Sequence, residues 1–400
     1  MVHLKKFFII PSFFIFFSSF TLTANPKRPW TFLTYIAADN NLYAEADKNI
    51  AQMVQASITT NAYIIVYLNI KRPDQAKVTQ RLIIQDGTIK QYDANTVEDS
   101  GDAATLLKAM VWAVMQFPSE YLVVDIWNHG SGSLNRRMIQ HRGVCYDDTT
   151  GNFMTDHDYK RAFEVLVQEY RAGKKVDIIA FDACLMADLE VAYTLQPYAH
   201  YLVSSQETVP GTGFNYTSTL SPLSSGVPTP YSFSRWIVNA YGKHYLNSGL
   251  SYTMSALDLN KLDNVVAATN TIAILLNQFL LLDKKNSPII DNVIRNIPHF
   301  DEPTYGDLYM FYIDLLKNSK KMHLSSLHTT ALETALRNGI NAISKVIIAN
   351  TNSAQLSQAH GISAYFAQPA LGIEPSYYDL YWTTQNPAWI NFLKRYIEAQ

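Results

Sequence analysis

Apolar runs and amphipathic stretches alternate through the first half of the chain. The strands predicted from nearly continuous apolar runs lie at residues 32–36, 62–70, 121–127, 176–181 and 201–205. The helices predicted from a 3.6-residue apolar spacing lie at residues 102–116, 156–170 and 184–195. Because continuous apolar strands separated by helices have both faces covered, this pattern predicts an α/β fold with a mostly parallel sheet between helical layers.

One further helix is predicted directly after the first strand. It ends near Ser57, and Asp39, Asn40 or Asn41 is expected to cap its N-terminus, since short polar side chains there accept hydrogen bonds from unpaired N–H groups.

The second half of the chain shows a weaker version of the same pattern. Helices are predicted at residues 233–245, 259–282, 305–317, 327–350 and 388–399, and strands at residues 251–257 and 362–366. No linker rich in Gly, Ser or Pro separates the halves. We therefore predict a main domain at residues 25–260 and a largely helical C-terminal elaboration at residues 261–400 that packs on it.

The N-terminus has the features of a secretory signal peptide. Two lysines precede the apolar run 7–22, and small residues follow this run up to Ala24. The run contains a proline and is shorter than the ~20 residues that a membrane span needs. We therefore predict a signal peptide at residues 1–24 and export to the periplasm or the exterior, with no membrane contact after its removal. An uncleaved anchor is the alternative.

Composition and charge narrow the functional classes. The 400 residues are 48% hydrophobic with a net charge of −2, and the basic residues are scattered, so no nucleic-acid partner is expected. The only cysteines are Cys145 and Cys184, and one disulfide between them is an alternative to a free reactive thiol. No His/Cys cluster, Walker or Rossmann glycine pattern or G-x-S-x-G elbow occurs, so zinc, nucleotide and serine hydrolase chemistry have no support.

Reactive residues follow two of the predicted strands. His129 follows strand 121–127 and precedes Gly130, and Cys184 follows strand 176–181 at the predicted start of a helix. The carboxyl ends of parallel strands meet at one edge of a sheet, so both side chains are expected in one crevice. A helix N-terminus would lower the pKa of the Cys184 thiol. The glycines after His129 leave N–H groups free to bind an oxyanion.

A set of motifs resembles the clostripain family of cysteine peptidases, which belongs to the caspase-like clan. These motifs are Trp30–Leu42, Asn128–Gly132, Phe181–Ala187, Ser205–Gly211 and His360–Ser363. The resemblance runs from about Trp30 to the C-terminus. It implies a caspase-like α/β/α sandwich and a bacterial, exported enzyme that cleaves peptide bonds after Arg or Lys.

The resemblance also implies roles for individual residues. It makes Cys184 the nucleophile and His129 the general acid/base of a dyad that acts through a thioester, with no third residue expected. The backbone N–H groups of Gly130 and Cys184 would form the oxyanion hole. Asp182 would bind the cationic P1 side chain through a charge-assisted contact, and its alternative role is a helix cap. Glu207 is a second candidate for the P1 pocket.

The interval between the two proposed catalytic residues contains Arg136, Arg137 and Arg142. Members of the family are often activated by cleavage at a basic residue in this interval, so these arginines are candidate self-cleavage sites. A solvated loop without processing is the alternative. Some members require Ca²⁺, although the chemistry itself needs no cofactor and the sequence shows no EF-hand spacing. We expect a monomer that acts on proteins or peptides with basic residues.

Two other functions stay open. A pseudopeptidase that serves as an extracellular binding module would keep the fold without hydrolysing peptides. A peptidase that prefers a small or acidic P1 residue would keep the dyad. The presence of both His129 and Cys184 argues against the first function, and Asp182 argues against the second.

Overall fold

The computed structural model describes residues 25–134 and 143–400 of the chain. Its strands are β1 (Arg28–Ala38), β2 (Tyr63–Ile70), β3 (Val78–Gln85), β4 (Thr88–Gln91), β5 (Ser119–Trp127), β6 (Val144–Asp147), β7 (Asn152–Met154), β8 (Val176–Asp182), β9 (Ala199–Ser204), β10 (Thr253–Asp258), β11 (Tyr305–Asp307), β12 (Ile347–Asn352) and β13 (Ser363–Tyr365). Its α-helices are α1 (Tyr43–Ser57), α2 (Ala103–Gln116), α3 (Asp156–Val165), α4 (Leu189–Leu195), α5 (Tyr216–Thr219), α6 (Pro222–Ser225), α7 (Pro230–Tyr245), α8 (Asp263–Leu282), α9 (Ser287–Asn296), α10 (Leu308–Asn318), α11 (Ser326–Val346), α12 (Tyr381–Gln385) and α13 (Pro387–Glu398).

A nine-stranded sheet runs through the described part of the molecule in the order β12-β10-β9-β8-β5-β1-β2-β3-β4. The five strands from β9 to β2 are parallel, and antiparallel strands flank them at both edges. Every residue of β2 and β8 is buried, as expected for parallel strands that are covered on both faces. The predicted α/β fold with a mostly parallel sheet is confirmed.

Alternate residues of β1 pack into different helical layers. Phe32 and Ile36 lie in the apolar cluster shared with α1 and α7, whereas Leu33 and Tyr35 lie in the cluster shared with α2, α3 and α8. The pleat directs successive side chains to opposite faces, so one buried strand supports both layers. The architecture is an α/β/α sandwich.

The C-terminal residues extend both the sheet and one helical layer. Strand β12 pairs with β10 at the edge of the central sheet, and β11 pairs with β13. Side chains of α8, α10, α11 and α13 join the same apolar cluster as those of α2 and α3. The C-terminal residues therefore share a core with the rest of the molecule, while the boundary near residue 260 stays a prediction.

Helix α8 has the length and apolar composition of a membrane-crossing helix, with a mean hydropathy of 1.8. Its residues Val265, Ile272, Leu276 and Leu280 are buried in the apolar cluster. A helix that is buried in the core of a domain has the same composition. The absence of membrane contact after signal removal stays a prediction.

Several predicted helix boundaries are wrong. The helix predicted to begin at Cys184 begins at Leu189, and the helix predicted to end at residue 350 ends at Val346, where β12 follows. The helix predicted at residues 305–317 is preceded by strand β11, which pairs with β13. In the last two cases an apolar stretch is divided between helix and strand by pairing with distant residues, which local periodicity does not reveal.

The predicted N-terminal cap of α1 is also wrong. This helix has no side-chain cap hydrogen bond within the described residues. Asp39 instead forms a buried ion pair with Lys77 (3.1 Å), and Asn40 Oδ1 accepts from Leu42 N (3.0 Å) before the helix begins. The polar residues after β1 therefore shape the loop rather than the helix.

Candidate active site

His129 and Cys184 follow neighbouring parallel strands. Trp127 of β5 and Asp182 of β8 are register partners, so His129 and Cys184 each lie two residues beyond the same level of the sheet. The residue after His129, Gly130, contacts the backbone of Cys184. The structure therefore places both predicted residues at one edge of the sheet.

Cys184 lies in a turn and not at a helix N-terminus. Leu185 adopts a left-handed conformation with a φ of +66°, and α4 begins only at Leu189. Asp188 caps α4 by accepting from Val191 N at 2.6 Å. The predicted stabilisation of a Cys184 thiolate by a helix dipole is therefore wrong, because that effect is confined to the first turn of a helix.

The Cys184 thiol is partly buried and faces backbone N–H groups. The amide nitrogen of Val209 lies 3.2 Å from Sγ, and the N–H of Gly130 also faces the sulfur. Burial raises the pKa of the thiol to about 11, and the two N–H groups offset this only in part. The thiol is therefore protonated at neutral pH, and a base must remove its proton before it can act as a nucleophile.

Gly130 is required at its position by the closeness of Cys184. A Cβ on Gly130 would lie 2.4 Å from the Cys184 carbonyl oxygen and 3.0 Å from the Cys184 amide nitrogen. Only glycine allows this approach, which brings the backbone N–H of residue 130 to the thiol. The arrangement is compatible with an oxyanion hole formed by Gly130 and Cys184, and that role stays a prediction.

The His129 ring contacts a residue that the sequence did not indicate as functional. Its Nε2 lies 2.7 Å from Oδ1 of Asn41, in the loop after β1. An amide oxygen only accepts hydrogen bonds, so Nε2 is the donor in this contact. The ring of Tyr146 lies edge-on to the imidazole, with centroids 6.5 Å apart.

Amide side chains fix the backbone around His129. Asn128 Nδ2 donates to the Ala37 carbonyl of β1, and Asn128 Oδ1 accepts from Tyr146 N at 2.8 Å. Asn40 Nδ2 donates to the carbonyls of the same two residues, at 3.0 Å and 3.1 Å. The loops after β1 and β5 and strand β6 thereby form one hydrogen-bonded unit that carries both Asn41 and His129.

Asp182 is buried at the end of β8. Its Oδ2 accepts from Phe214 N at 2.8 Å and from the Tyr216 hydroxyl at 3.1 Å. Gly213 covers the carboxylate: its φ is +61°, and a Cβ there would lie 2.5 Å from Oδ2. Burial raises the pKa of Asp182 to about 7. Asp188, and not Asp182, caps the following helix, so the alternative role of Asp182 as a cap is wrong.

The Glu207 carboxylate has partners away from the Asp182 side chain. Its Oε1 accepts from Thr208 N at 2.7 Å and from Asp301 N at 3.3 Å, and burial raises its pKa. The backbone carbonyl of Glu207 accepts from Leu185 N at 3.2 Å. The backbone of Glu207, and not its carboxylate, therefore contacts the Cys184 turn. The role of Glu207 in a P1 pocket stays a prediction.

Residues of the C-terminal elaboration support the site, which the sequence did not indicate. The Tyr305 hydroxyl donates to Ser131 O at 3.1 Å and accepts from Leu134 N at 2.9 Å, in the loop that follows His129. The charge of Asp301 contributes to the raised pKa of Cys184. These contacts span more than a hundred residues of sequence, so no local pattern reveals them.

The predicted self-cleavage residues Arg136, Arg137 and Arg142 lie outside the described residues. The chain on either side of this segment is joined by hydrogen bonds: Ser131 N donates to Gly143 O at 3.0 Å, and Gly143 N donates to Ser131 Oγ at 2.7 Å.

Both cysteines are free, and Cys145 is buried in β6. The alternative of a disulfide between Cys145 and Cys184 is therefore wrong. Among residues 25–134 and 143–400, no group of three or more His, Cys, Asp or Glu side chains is arranged to hold a metal ion. The Ca²⁺ requirement of some family members stays an untested expectation for this chain.

The sequence of residues 34–396 matches the model of the clostripain family, the C11 peptidases. The chain is 23% identical to clostripain from Hathewaya histolytica over 295 residues, which make up 65% of this chain and 54% of that protein. The chain therefore spans about half the length of this relative.

Two crystal structures share the fold. A secreted C11 cysteine protease from Bacteroides thetaiotaomicron, in complex with an irreversible peptide inhibitor, is 20% identical with a TM-score of 0.66 and covers 91% of this chain and 99% of its own. An inactive zymogen C11 protease from Parabacteroides distasonis has the same identity of 20%, TM-score of 0.66 and coverage of 91% and 99%. These similarities confirm the caspase-like architecture. Because the family match includes both strand ends and most of the C-terminal residues, this chain belongs to the clostripain family of cysteine peptidases.

Proposed function

We propose that this protein is an exported cysteine endopeptidase that hydrolyses peptide bonds after Arg or Lys. The observation that carries the proposal is the meeting of His129-Gly130 with Cys184 beyond the register-paired ends of β5 and β8. A thiol, a histidine on the neighbouring strand end and backbone N–H groups beside the sulfur are the components that acyl transfer needs.

In this reaction, Nδ1 of His129 accepts the thiol proton as Sγ of Cys184 attacks the carbonyl carbon of the scissile bond. Because burial raises the pKa of the thiol to about 11, proton transfer accompanies the attack rather than preceding it. The N–H groups of Gly130 and Cys184 donate to the oxyanion. His129 then gives the proton to the leaving amine, and water hydrolyses the Cys184 thioester with His129 as its base, which restores the thiol.

Asn41 adds a positioning residue to the dyad. Its amide oxygen accepts from His129 Nε2 at 2.7 Å, which fixes the orientation of the ring and its tautomer. A neutral acceptor does this without a negative charge, which would raise the pKa of the imidazole.

Asp182 supplies the preference for a basic P1 side chain. Its Oδ2 has two donors, whereas its Oδ1 has no hydrogen-bond partner among the described residues. A buried carboxylate oxygen without a donor is unfavourable, and an ammonium or guanidinium group would provide one. Gly213 lies over the carboxylate, so the loop that contains it moves aside as the P1 side chain enters.

The proposal of export rests on the predicted signal peptide, and the proposal of activation rests on the family resemblance. Residues 1–24 direct the chain out of the cytoplasm, and the related protease from Bacteroides thetaiotaomicron is described as secreted. The relative from Parabacteroides distasonis is an inactive zymogen. We infer that cleavage at Arg136, Arg137 or Arg142 activates this chain, which then acts as a monomer on proteins or peptides.

The test is the hydrolysis of three peptides that differ only in Arg, Lys or norleucine at P1. Wild-type protein should cleave the Arg and Lys peptides, and Cys184→Ala should reduce their turnover by at least roughly 1,000-fold because the nucleophile is lost. Cys145→Ala is the matched control and should retain activity. Hydrolysis by Cys184→Ala at the wild-type rate would contradict the proposal. Folded wild-type protein that cleaves no peptide, even after tryptic cleavage of the 135–142 segment, would favour the binding-module alternative.

A further inference from the structure

The proposed P1 pocket contains a second buried acid. Asp125 of β5 is fully buried at 0% exposure and lies on the strand next to that of Asp182, which is 4% exposed. The Tyr216 hydroxyl lies between the two carboxylates, 2.7 Å from Asp125 Oδ2 and 3.1 Å from Asp182 Oδ2. Within the described residues, no basic side chain hydrogen-bonds either carboxylate.

The geometry of these three groups favours an additional proton. The oxygens form a chain with two O···O contacts of hydrogen-bond length, and the one Tyr216 proton can point fully at only one carboxyl oxygen at a time. The Tyr216 hydroxyl supplies one proton, and burial raises the pKa of this hydroxyl so that it stays protonated. A second proton on one of the carboxyl groups supplies the other contact, so the empty pair carries at most a single negative charge.

The two acids are not equivalent. Asp182 Oδ2 accepts from Phe214 N in addition to Tyr216, and this donor stabilises a negative charge on Asp182. Asp125 Oδ1 and the hydroxyl of Thr34, its register partner on β1, form no hydrogen bond of full geometry among the described residues, although the Thr34 side chain and the Asp182 backbone lower the pKa of Asp125. Burial and the charge of Asp182 raise the pKa of Asp125 well above its usual range. The shared proton therefore resides mainly on Asp125.

Within residues 25–134 and 143–400, no basic side chain forms a hydrogen bond or ion pair with either acid. The titratable side chains that face it within the described residues are phenols and the thiol: Tyr216, Tyr241, Tyr245 and Cys184. A cation that enters the pocket would therefore supply a positive charge that none of the described residues supplies to the two acids.

We propose that Asp125 is a specificity-determining residue that acts through Tyr216 and Asp182 and loses its proton to solvent when a cationic P1 side chain occupies the pocket. This inference rests on the proposed role of Asp182. A bound cation stabilises a second negative charge nearby, so the occupied pair holds one proton fewer than the empty pair. Binding that releases a proton strengthens as pH rises, so the preference for a basic P1 residue increases with pH.

The test is the ratio of kcat/KM for a Lys peptide to kcat/KM for its norleucine analogue, measured from about pH 5.5 to about pH 9. Both peptides use the same nucleophile and base, so the titration of those groups cancels in the ratio. The wild-type ratio should rise over the whole range, first with Asp182 and then with Asp125. The ratio of Asp125→Asn should level off above the Asp182 pKa of about 7. At about pH 9 the ratio measured for Asp125→Asn should be roughly ten-fold below the wild-type ratio. The difference should come from KM and not from kcat.

Two further variants, Tyr216→Phe and Asp182→Asn, test the proposal independently of Asp125→Asn. Tyr216→Phe removes the bridging hydroxyl but keeps the ring. Its Lys-to-norleucine ratio of kcat/KM should level off in the same way as that of Asp125→Asn. Wild-type far-UV circular dichroism and denaturant unfolding midpoints show that each variant is folded. The proposal is overturned if Asp125→Asn and Tyr216→Phe follow the wild-type profile while Asp182→Asn lowers the ratio. If Asp182→Asn leaves the ratio unchanged, the proposed role of Asp182 fails, and this inference fails with it.

Discussion

The strand ends that carry His129 and Cys184 lie at the same level of the sheet but are held by different chemistry. Amide side chains hold the His129 end, where Asn41 contacts the imidazole and Asn128 ties the loop to β1. Buried acids bracket the Cys184 end, with Asp182 before it and Asp188 after it. Amides do not titrate, whereas burial raises the pKa of Asp182 to about 7 and that of Asp188 to about 6.

This difference separates two properties of the proposed enzyme. At the His129 end the protein orients the base through a contact with a neutral amide. At the Cys184 end it places carboxyl groups whose charge changes near neutral pH. We therefore expect substitutions at the first end to change kcat, and substitutions at the second to change substrate preference and the pH dependence of stability.

Of the three substitutions that compare the two ends, Asp182→Asn is expected to have the largest effect. Loss of the carboxylate charge should lower the ratio of kcat/KM for Lys over norleucine at P1 by roughly 100-fold, because a hydrogen bond to a charged group is replaced by a weaker neutral one. Steady-state kinetics with the paired peptides measures this. Glu207→Gln is the matched control, since it neutralises another buried acid near the Cys184 turn. An equal fall of this ratio in Glu207→Gln, or an unchanged ratio in Asp182→Asn, would contradict the assignment of P1 specificity to Asp182.

A smaller effect is expected for Asn41→Ala. Without the acceptor at Nε2, the imidazole is less well oriented, and kcat should fall roughly ten-fold while KM stays constant. Asn41→Asp keeps an acceptor but adds a negative charge, which raises the pKa of His129. The acid limb of its kcat profile should therefore move to higher pH, because the neutral base then forms only at higher pH. Wild-type kcat values and pH profiles in both variants would show that the contact does not serve catalysis.

The smallest effect on activity, but a clear effect on stability, is expected for Glu190→Gln in α4. Burial and the charge of Asp188 raise the pKa of Glu190 to about 8. The folded state therefore holds a proton that the unfolded state releases near its ordinary pKa. The contribution of Glu190 to stability is full below that ordinary value and declines as pH rises toward about 8.

A neutral glutamine at position 190 removes the decline in stability that Glu190 causes as pH rises. The free energy of unfolding of Glu190→Gln, measured by denaturant titration, should exceed that of wild type by about 1–3 kcal/mol near pH 8 and equal it near pH 4. A difference between variant and wild type that does not change with pH would contradict the assignment of a buried, protonated carboxyl to the Cys184 end.

The sheet could be predicted from sequence because its central strands are continuous apolar runs. The runs predicted at residues 62–70, 121–127 and 176–181 correspond to β2, β5 and β8 within two residues. Because parallel strand ends share one edge, this was enough to bring His129 and Cys184 together.

The environment of the thiol could not be predicted in the same way. Residues 184–195 have a helical apolar spacing, but Asp188 starts the helix late and Leu185 is left-handed. The partners of the polar side chains come from distant segments: Asn41 is 88 residues from His129, and Tyr216 is 91 residues from Asp125. Such contacts depend on tertiary packing and leave no periodic signal.

The central claim is that Cys184 is the nucleophile of a pocket for basic P1 residues, and covalent labelling tests it most directly. Wild-type protein is treated with a chloromethylketone that carries Lys at P1, and the adduct is located by mass spectrometry of proteolytic peptides. We predict one adduct, on Cys184, which is absent in His129→Ala and much weaker with the norleucine reagent. An adduct on Cys145, or equal labelling of Cys184 by both reagents, would contradict the account.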